Sequence, residues 1–190
     1  MLDIQHFGYI FDARDTIARL NKTIQRNQNS GDGTTYVRWG RDTAYQVYTR
    51  YAAGSNYGHS GTASDTLCLS KNPIYNKYTP GLQGGIIYGA QYETGRPNSA
   101  WKHLKDQDIL CAVCRITRNN VLMVSGRNTC QENYQLEYKG YLMSRHYQHS
   151  ASLFICIDNE PEVLQGGSFD DNGKSFYFVD GTCGSLKCPP

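Results

Sequence analysis

The sequence predicts an all-β body, internally duplicated with pseudo-twofold symmetry, behind a short N-terminal α-helix of coiled-coil character. Three observations predict it. Beyond Gly33 the chain is a series of short apolar runs cut by Gly, Asn, Pro and Ser, the pattern of strands and turns. The second half repeats the landmarks of the first in the same order, and residues 1–30 follow a helical period instead.

The helix comes first. Ile10, Ala13, Ile17, Leu20 and Ile24 recur at spacings of 3, 4, 3 and 4, the seam of a coiled coil. It stops at Asn29, Ser30, Gly31, Asp32 and Gly33, a flexible exit. Isolated helices below about 12–15 residues barely hold in water, so residues 1–30 either assemble chains or pack on the body. Asn21-Lys22-Thr23 is the one glycosylation sequon.

The body, residues 34–190, reads as nine strand-like runs: YVRWG, YQVYTRYA, DTLCLS, GGIIYGAQYE, ILCAVCRI, VLMVSG, YQLEYKGYLM, LFICID and SFYFVD. Only Asn98 to Gln107 has a weak claim to be helical, and it reads equally well as a loop. Gly40-Arg41-x-Thr43 matches Gly126-Arg127-x-Thr129 at an offset of 86, and Tyr48-x-x-Tyr51 matches Tyr138-x-x-Tyr141 at 90. Tyr57-x-His59-Ser60 matches Tyr147-x-His149-Ser150 at 90, Cys68 and Pro73 match Cys156 and Pro161 at 88, and Gln83-Gly84-Gly85 matches Gln165-Gly166-Gly167 at 82. Duplication of one unit explains so many agreements in one order. Copy one spans about residues 34–117 and copy two about 118–190. Two such β units normally bury their faces against each other.

The bulk numbers narrow the function classes. A net charge of +2 from 19 basic and 17 acidic residues, interspersed, leaves no electrostatic footprint for nucleic acid or an anionic membrane. No apolar run approaches the roughly 20 residues that cross a bilayer. Fifteen tyrosines against six phenylalanines put hydroxyls on much of the apolar area, which suits half-wet surfaces. The first residues lack the pattern of a signal peptide, so either a leader has been replaced by Met1 or the chain is made inside cells. Seven cysteines favour the first option and a secreted, extracellular protein.

At this point a resemblance becomes usable. The duplicated unit, the Cys111 to Cys114 segment CAVC, the GR-x-T and Y-x-G-Y patterns and a Cys before a Pro resemble the C-terminal non-collagenous domain of type IV collagen. More closely, YVRWGR, YAAGS, LCL-x-KNP, YGA-x-YE, CAVCR and CGSLKCPP resemble the C-terminal domain of the short-chain, spongin-type collagens of sponges and other invertebrates, over Thr34 to Pro190. The resemblance implies a secreted, β-rich domain that trimerises or assembles further and performs no chemistry. Two departures matter: no Gly-X-Y repeat precedes the domain, and Ala44 stands where Cys130 stands in the second copy.

Carried over by position, the resemblance implies a Cys68–Cys111 disulfide. Cys183 and Cys188 read as a local clasp. Cys114 with Cys130 is the remaining pairing expected, leaving Cys156 as a buried free thiol or an interchain link. For Cys111-x-x-Cys114 a redox pair needs a low-pKa thiolate, usually at a helix N-terminus, whereas this segment reads as a strand. A zinc site needs further ligands at suitable spacing, and the sequence offers no second Cys-x-x-Cys. Structural disulfides are the expectation, with no metal and no cofactor.

His59-Ser60 and His149-Ser150 invite a nucleophile-and-base reading, yet strand neighbours point to opposite faces, and no catalytic signature is present. The sequence therefore predicts a protein that is not an enzyme. Two functions remain. One is an oligomeric, lectin-like recognition protein, narrowly favoured, whose ligand residues are Asn56, Tyr57, His59, Trp39, Arg145, Tyr147 and His149. These types stack on sugar faces and bond hydroxyls, and an exposed Trp39 or Trp101 strengthens the reading. The other is an extracellular-matrix assembly module. The expected partners are further copies of the chain, through the helix and the β body, with glycans or matrix proteins.

Overall fold

The computed structural model of the chain describes residues 17, 21, 22, 33–42, 46–81, 84–96 and 100–187. The helix expected over residues 1–30 lies, but for residues 17, 21 and 22, outside them, as do Ala44 and Cys188.

Eight strands are formed among the described residues: β1 (Thr34–Trp39), β2 (Gln46–Gly54), β3 (Leu67–Ser70), β4 (Tyr88–Tyr92), β5 (Leu110–Ile116), β6 (Gly140–Ser144), β7 (Ile155–Asp158) and β8 (Lys174–Phe178). They form one sheet in the order β3-β2-β4-β8-β6-β7-β1-β5, and a further pairing of β2 with β5 closes the ladder on itself. Among the described residues only β3 hangs outside the ring, with β2 on one edge and no strand on the other.

The two halves share strand registers. In the first, Arg50, Tyr51, Ala52 and Ala53 of β2 stand opposite Ser70, Leu69, Cys68 and Leu67 of β3. In the second, Gly140, Tyr141, Leu142 and Met143 of β6 stand opposite Asp158, Ile157, Cys156 and Ile155 of β7, which are the same partners shifted by 90 and 88. The next pairing repeats too: Ala53 and Gly54 meet Gly89 and Tyr88, while Met143 and Ser144 meet Phe178 and Tyr177. Gly40 and Gly126, matched in sequence, both take positive φ, +83° and +78°.

The halves differ in their first strand. β1 is ordered along all six residues by antiparallel pairing with β5. Its counterpart in the second half, Val121 to Gly126, expected as a strand, joins no ladder among the described residues. The reason is the partner: no described strand follows β8 to pair with it, and an extended backbone without a neighbour has nowhere to place its hydrogen bonds. For the same reason the expected run Tyr134 to Met143 is a strand only from Gly140. The ambiguous stretch from Asn98 yields a single 3-10 turn, Lys102–Leu104.

One core serves both halves. Trp39, Ala52, Cys68, Ala90, Tyr92, Trp101, Ile109 and Cys111 pack with Met143, Ile155, Ile157 and Phe176. Trp101 meets Tyr92 and Tyr141 edge to face at centroid distances of 6.2 and 4.9 Å and lies tilted against Phe178 at 5.2 Å. The halves are also joined by an ion pair, Arg38 Nη2 to Asp158 Oδ2 at 2.6 Å, with Arg38 Nε donating to the same oxygen at 2.7 Å. Asp158 is buried, and its carboxylate is satisfied by Arg38 at Oδ2 and by the Glu160 amide, which donates to Oδ1 at 3.0 Å.

The cysteine pattern is confirmed in one pair and corrected in another. Cys68 and Cys111 form a disulfide with Cα atoms 5.7 Å apart, and Cys183 is also disulfide-bonded. The expected Cys114–Cys130 bond is not formed: Cys114 is a buried free thiol, Cys130 an exposed one and Cys156 a half-buried one. Residues 110–116 being a strand sends Cys111 and Cys114 to different neighbours, so the Cys-x-x-Cys pair does not close on itself. Cys114 Sγ donates to the Ala112 carbonyl at 3.7 Å. Burial pushes both the Cys114 and Cys156 thiols up, away from the thiolate character of reactive cysteines.

Candidate functional site

The repeated Tyr-x-His-Ser turns leave the ends of equivalent strands, β2 and β6, and the fold packs them against each other. Ser150 donates to the Tyr57 carbonyl from its amide at 3.4 Å and from its hydroxyl at 3.3 Å. The Tyr57 ring lies 4.7 Å from the His149 ring. Tyr57 N–H in turn donates to the Gly173 carbonyl at 3.0 Å, and Asn56 Nδ2 to the Asn172 carbonyl at 2.9 Å. Asn56 Oδ1 accepts from Gly58 N–H at 2.9 Å, the side-chain turn for which Asn is suited. Asn56 is thus consumed by the loop itself.

Beneath the turns lie two cations. Arg145, the second-half counterpart of Ser55, is buried and donates through Nη2 to the Ser55 hydroxyl and carbonyl and through Nη1 to Ser150. Its Nε is buried without a hydrogen-bond partner. Lys174, fully buried, donates from Nζ to the Ser64 and Asp65 carbonyls at 3.1 Å each and to Ser152 Oγ at 2.9 Å. Burial, with repulsion from Arg145, pushes the Lys174 ammonium down to about 8. Ser152 Oγ also donates to the Ser64 carbonyl at 3.1 Å, and these serines occupy matched positions of the two halves.

Imidazoles and phenols gather at the turns. His146 stands 4.4 Å from Tyr147, 5.2 Å from His149 and 5.2 Å from Tyr177 between centroids, and His59 stands 5.9 Å from Tyr88. Tyr147 is 85% exposed. Burial, then the charges of His146 and Arg145, hold the His149 imidazole below the usual histidine range, and its Nδ1 is buried without a partner. The hydroxyl next to it in sequence, Ser150 Oγ, is committed to Arg145 and the Tyr57 carbonyl. The arrangement offers aromatic faces and imidazole hydrogen bonds to a ligand lying across Tyr147.

The structure therefore brings Tyr57, His149 and Tyr147 into one neighbourhood and puts Arg145 beneath it, but it removes Trp39 from the ligand set. Trp39 is 9% exposed and belongs to the core, as does Trp101 at 6%. Trp39 projects from β1 onto the core face of the sheet and Trp101 packs against Tyr92, Tyr141 and Phe178, so neither indole is presented to a sugar. His146, Tyr177, Tyr88 and Lys174 were missed by sequence reasoning. Tyr88 and Tyr177 are matched in register, and that pairing is the signal that could have found them. Lys174 carries none.

A second polar group lies away from the turns. Glu93, Asp106 and Asp170 each place a carboxylate oxygen within 4.8 Å of the others. Lys105 Nζ already bonds both Asp106 oxygens at 2.7 and 2.6 Å and supplies the positive charge there.

Comparison with protein-family models, with curated proteins and with solved structures finds no match to this chain.

Proposed function

We infer that the protein is a secreted, non-enzymatic assembly module of the kind that ends the short-chain collagens, built from two copies of one β unit related by a pseudo-twofold axis. The matched registers and paired Tyr-x-His-Ser turns support the duplication. The observation that carries the function is the open edge at β3. Leu67 and Leu69 on this strand are 49% and 37% exposed, and the chain beyond it presents Ile74 at 99%, Tyr75 at 85% and Tyr78 at 85%. An edge strand continued by an exposed apolar arm is a template for another chain. Copies of the protein associate through it. Sedimentation velocity tests this with the variant Ile74→Ser/Tyr75→Ser/Tyr78→Ser: a lower oligomer number than the parent is expected, and an unchanged one refutes the assignment.

One observation favours the lectin reading as a second function: Tyr147, exposed, with His146, His149, Tyr57 and Tyr177 around it. Carbohydrate stacks on such faces, and several copies raise avidity without new contacts. It ranks second because the tryptophans that strengthened it lie in the core. A glycan array run with the parent and with Tyr147→Ala tests it, and binding that is absent from the parent or unchanged in the variant ends this reading.

A further inference from the structure

The segment Asp65-Thr66-Leu67-Cys68-Leu69-Ser70-Lys71 has the same chemistry read from either end. About Cys68 at its centre, Leu67 matches Leu69, Thr66 matches Ser70, and the acid Asp65 matches the base Lys71. β3 is the middle of this segment, and no described strand lies on its outer edge. The main chain is phased to the same centre. Lys71 N–H donates to the Thr49 carbonyl of β2 at 3.1 Å, whereas Ala52, opposite Cys68, turns its N–H away from β3 to the Ile109 carbonyl at 3.0 Å. Main-chain groups alternate between the two edges of a strand, so those of Leu67 and Leu69 face β2 and those of Cys68 and Ser70 face the open edge. Side chains alternate between the two faces. Cys68 points to the core, bonded to Cys111, while Leu67 and Leu69 lie on the other face, 49% and 37% exposed, between exposed Asp65 and Lys71. The second half lacks the pattern. At the offset of 88, Asp65 and Lys71 become Leu153 and Asn159, and Leu67 and Leu69 become Ile155 and Ile157. Both isoleucines are buried on β7, which has a strand on each edge.

We propose that β3 is a self-complementary contact at which two copies of the chain join edge to edge, antiparallel, about a twofold axis at Cys68. The inference rests on the reading that copies associate through this edge, and it specifies the contact. Cys68 exchanges both main-chain hydrogen bonds with its own counterpart, and Thr66 exchanges them with Ser70 of the other copy. The pairs between, Leu67 with Leu69 and Asp65 with Lys71, are the closely spaced kind in which facing side chains meet. Symmetry forms each of these pairs twice. The charges also fix the register, because a slip of two residues sets Leu67 against Lys71 or Leu69 against Asp65 and parts the acid from the base. A contact of this kind uses the same patch on both copies and closes after two.

The test uses the 190-residue chain at low ionic strength, where charge pairs are least screened. Asp65→Lys and Lys71→Asp each alter one exposed side chain. Either variant alone sets like charges opposite each other at both ends of the contact, and its dimer dissociation constant, read by sedimentation equilibrium, is expected to rise at least about tenfold. An equal mixture of the two variants restores opposite charges at both ends, so mixed dimers are expected to form with a constant close to the parent's. That recovery shows at the same time that both variants fold. Chains carrying Leu67→Cys mixed with chains carrying Leu69→Cys, in a glutathione buffer, are expected to yield a product in which the two introduced thiols are joined, identified by peptide mapping. A parent that associates while neither charge variant weakens it overturns the self-pairing, as does a mixture no tighter than the single variants. If Ile74→Ser/Tyr75→Ser/Tyr78→Ser still lowers the oligomer number in that case, association through the edge stands without it. A cross-link from an introduced thiol to a residue outside 65–71 in place of the expected product gives the edge another occupant and also overturns it. A parent that stays monomeric ends both readings.

Discussion

The Cys68–Cys111 bond joins residues 43 apart in sequence, and this separation sets what its removal does. Closing a loop of that length in the unfolded chain removes about 13 cal/mol/K of entropy, or roughly 4 kcal/mol at 25 °C. The whole stability of a domain is about 5–15 kcal/mol, so the bond accounts for a large share. Cys68→Ala/Cys111→Ala is expected to lower the unfolding free energy by about 4 kcal/mol plus the small packing loss of two buried sulfurs. Cys156→Ala is the internal control, because Cys156 faces Leu142 in the register in which Cys68 faces Ala52 but closes no loop. Its expected loss is about 1 kcal/mol or less. Urea denaturation followed by tryptophan fluorescence reads both, since Trp39 and Trp101 are buried. Cys68→Ala alone must come within about 1 kcal/mol of the double variant, because one substitution already opens the loop. If the double variant loses no more than twice the control, chain constraint is not what the bond contributes.

Two further outcomes follow from the same geometry. Gly40→Ala puts a Cβ 2.8 Å from Ile157 Cγ2 at a φ of +83°, whereas Gly126→Ala at +78° meets nothing within 4 Å. The second is expected to cost about 1 kcal/mol of backbone strain and the first at least twice that, as thermal unfolding will show; equal losses refute the packing argument. Burial lowers Lys174 to about 8, so below that pH both states hold the proton and the whole penalty is present. Between pH 8 and the ordinary lysine value only the unfolded chain retains it, and this residue makes stability rise with pH by up to about 1.4 kcal/mol per unit. Stability measured from pH 7 to 10 for the parent minus that for Lys174→Met is expected to climb above pH 8, and a flat difference contradicts the assignment.

Much of the fold was legible because its signals are local. The continuous apolar runs ILCAVCRI and LFICID mark β5 and β7 wherever they end up, and residues matched at offsets of 90 and 88 in the sequence take matching positions in the β2–β3 and β6–β7 registers. The Cys68–Cys111 bond followed from resemblance alone and is present. The Cys114–Cys130 expectation failed because pairing depends on which strand lies beside which, and no local pattern encodes the order β3-β2-β4-β8-β6-β7-β1-β5. VLMVSG failed for a related reason, since its strand propensity had no neighbour to satisfy it.

For the candidate site, sequence alone placed Tyr57, His59, Tyr147 and His149 in two matching Tyr-x-His-Ser segments. Only the tertiary structure decided that these turns face each other, with Tyr57 on His149 and Arg145 bonded to Ser55. It also took both tryptophans into the core and set Lys174 under the junction. The physical reason is reach. Composition and periodicity fix which face of a strand is apolar, whereas burial and hydrogen-bond partners depend on contacts about 90 residues apart in the chain, and these exist only once the ladder has closed.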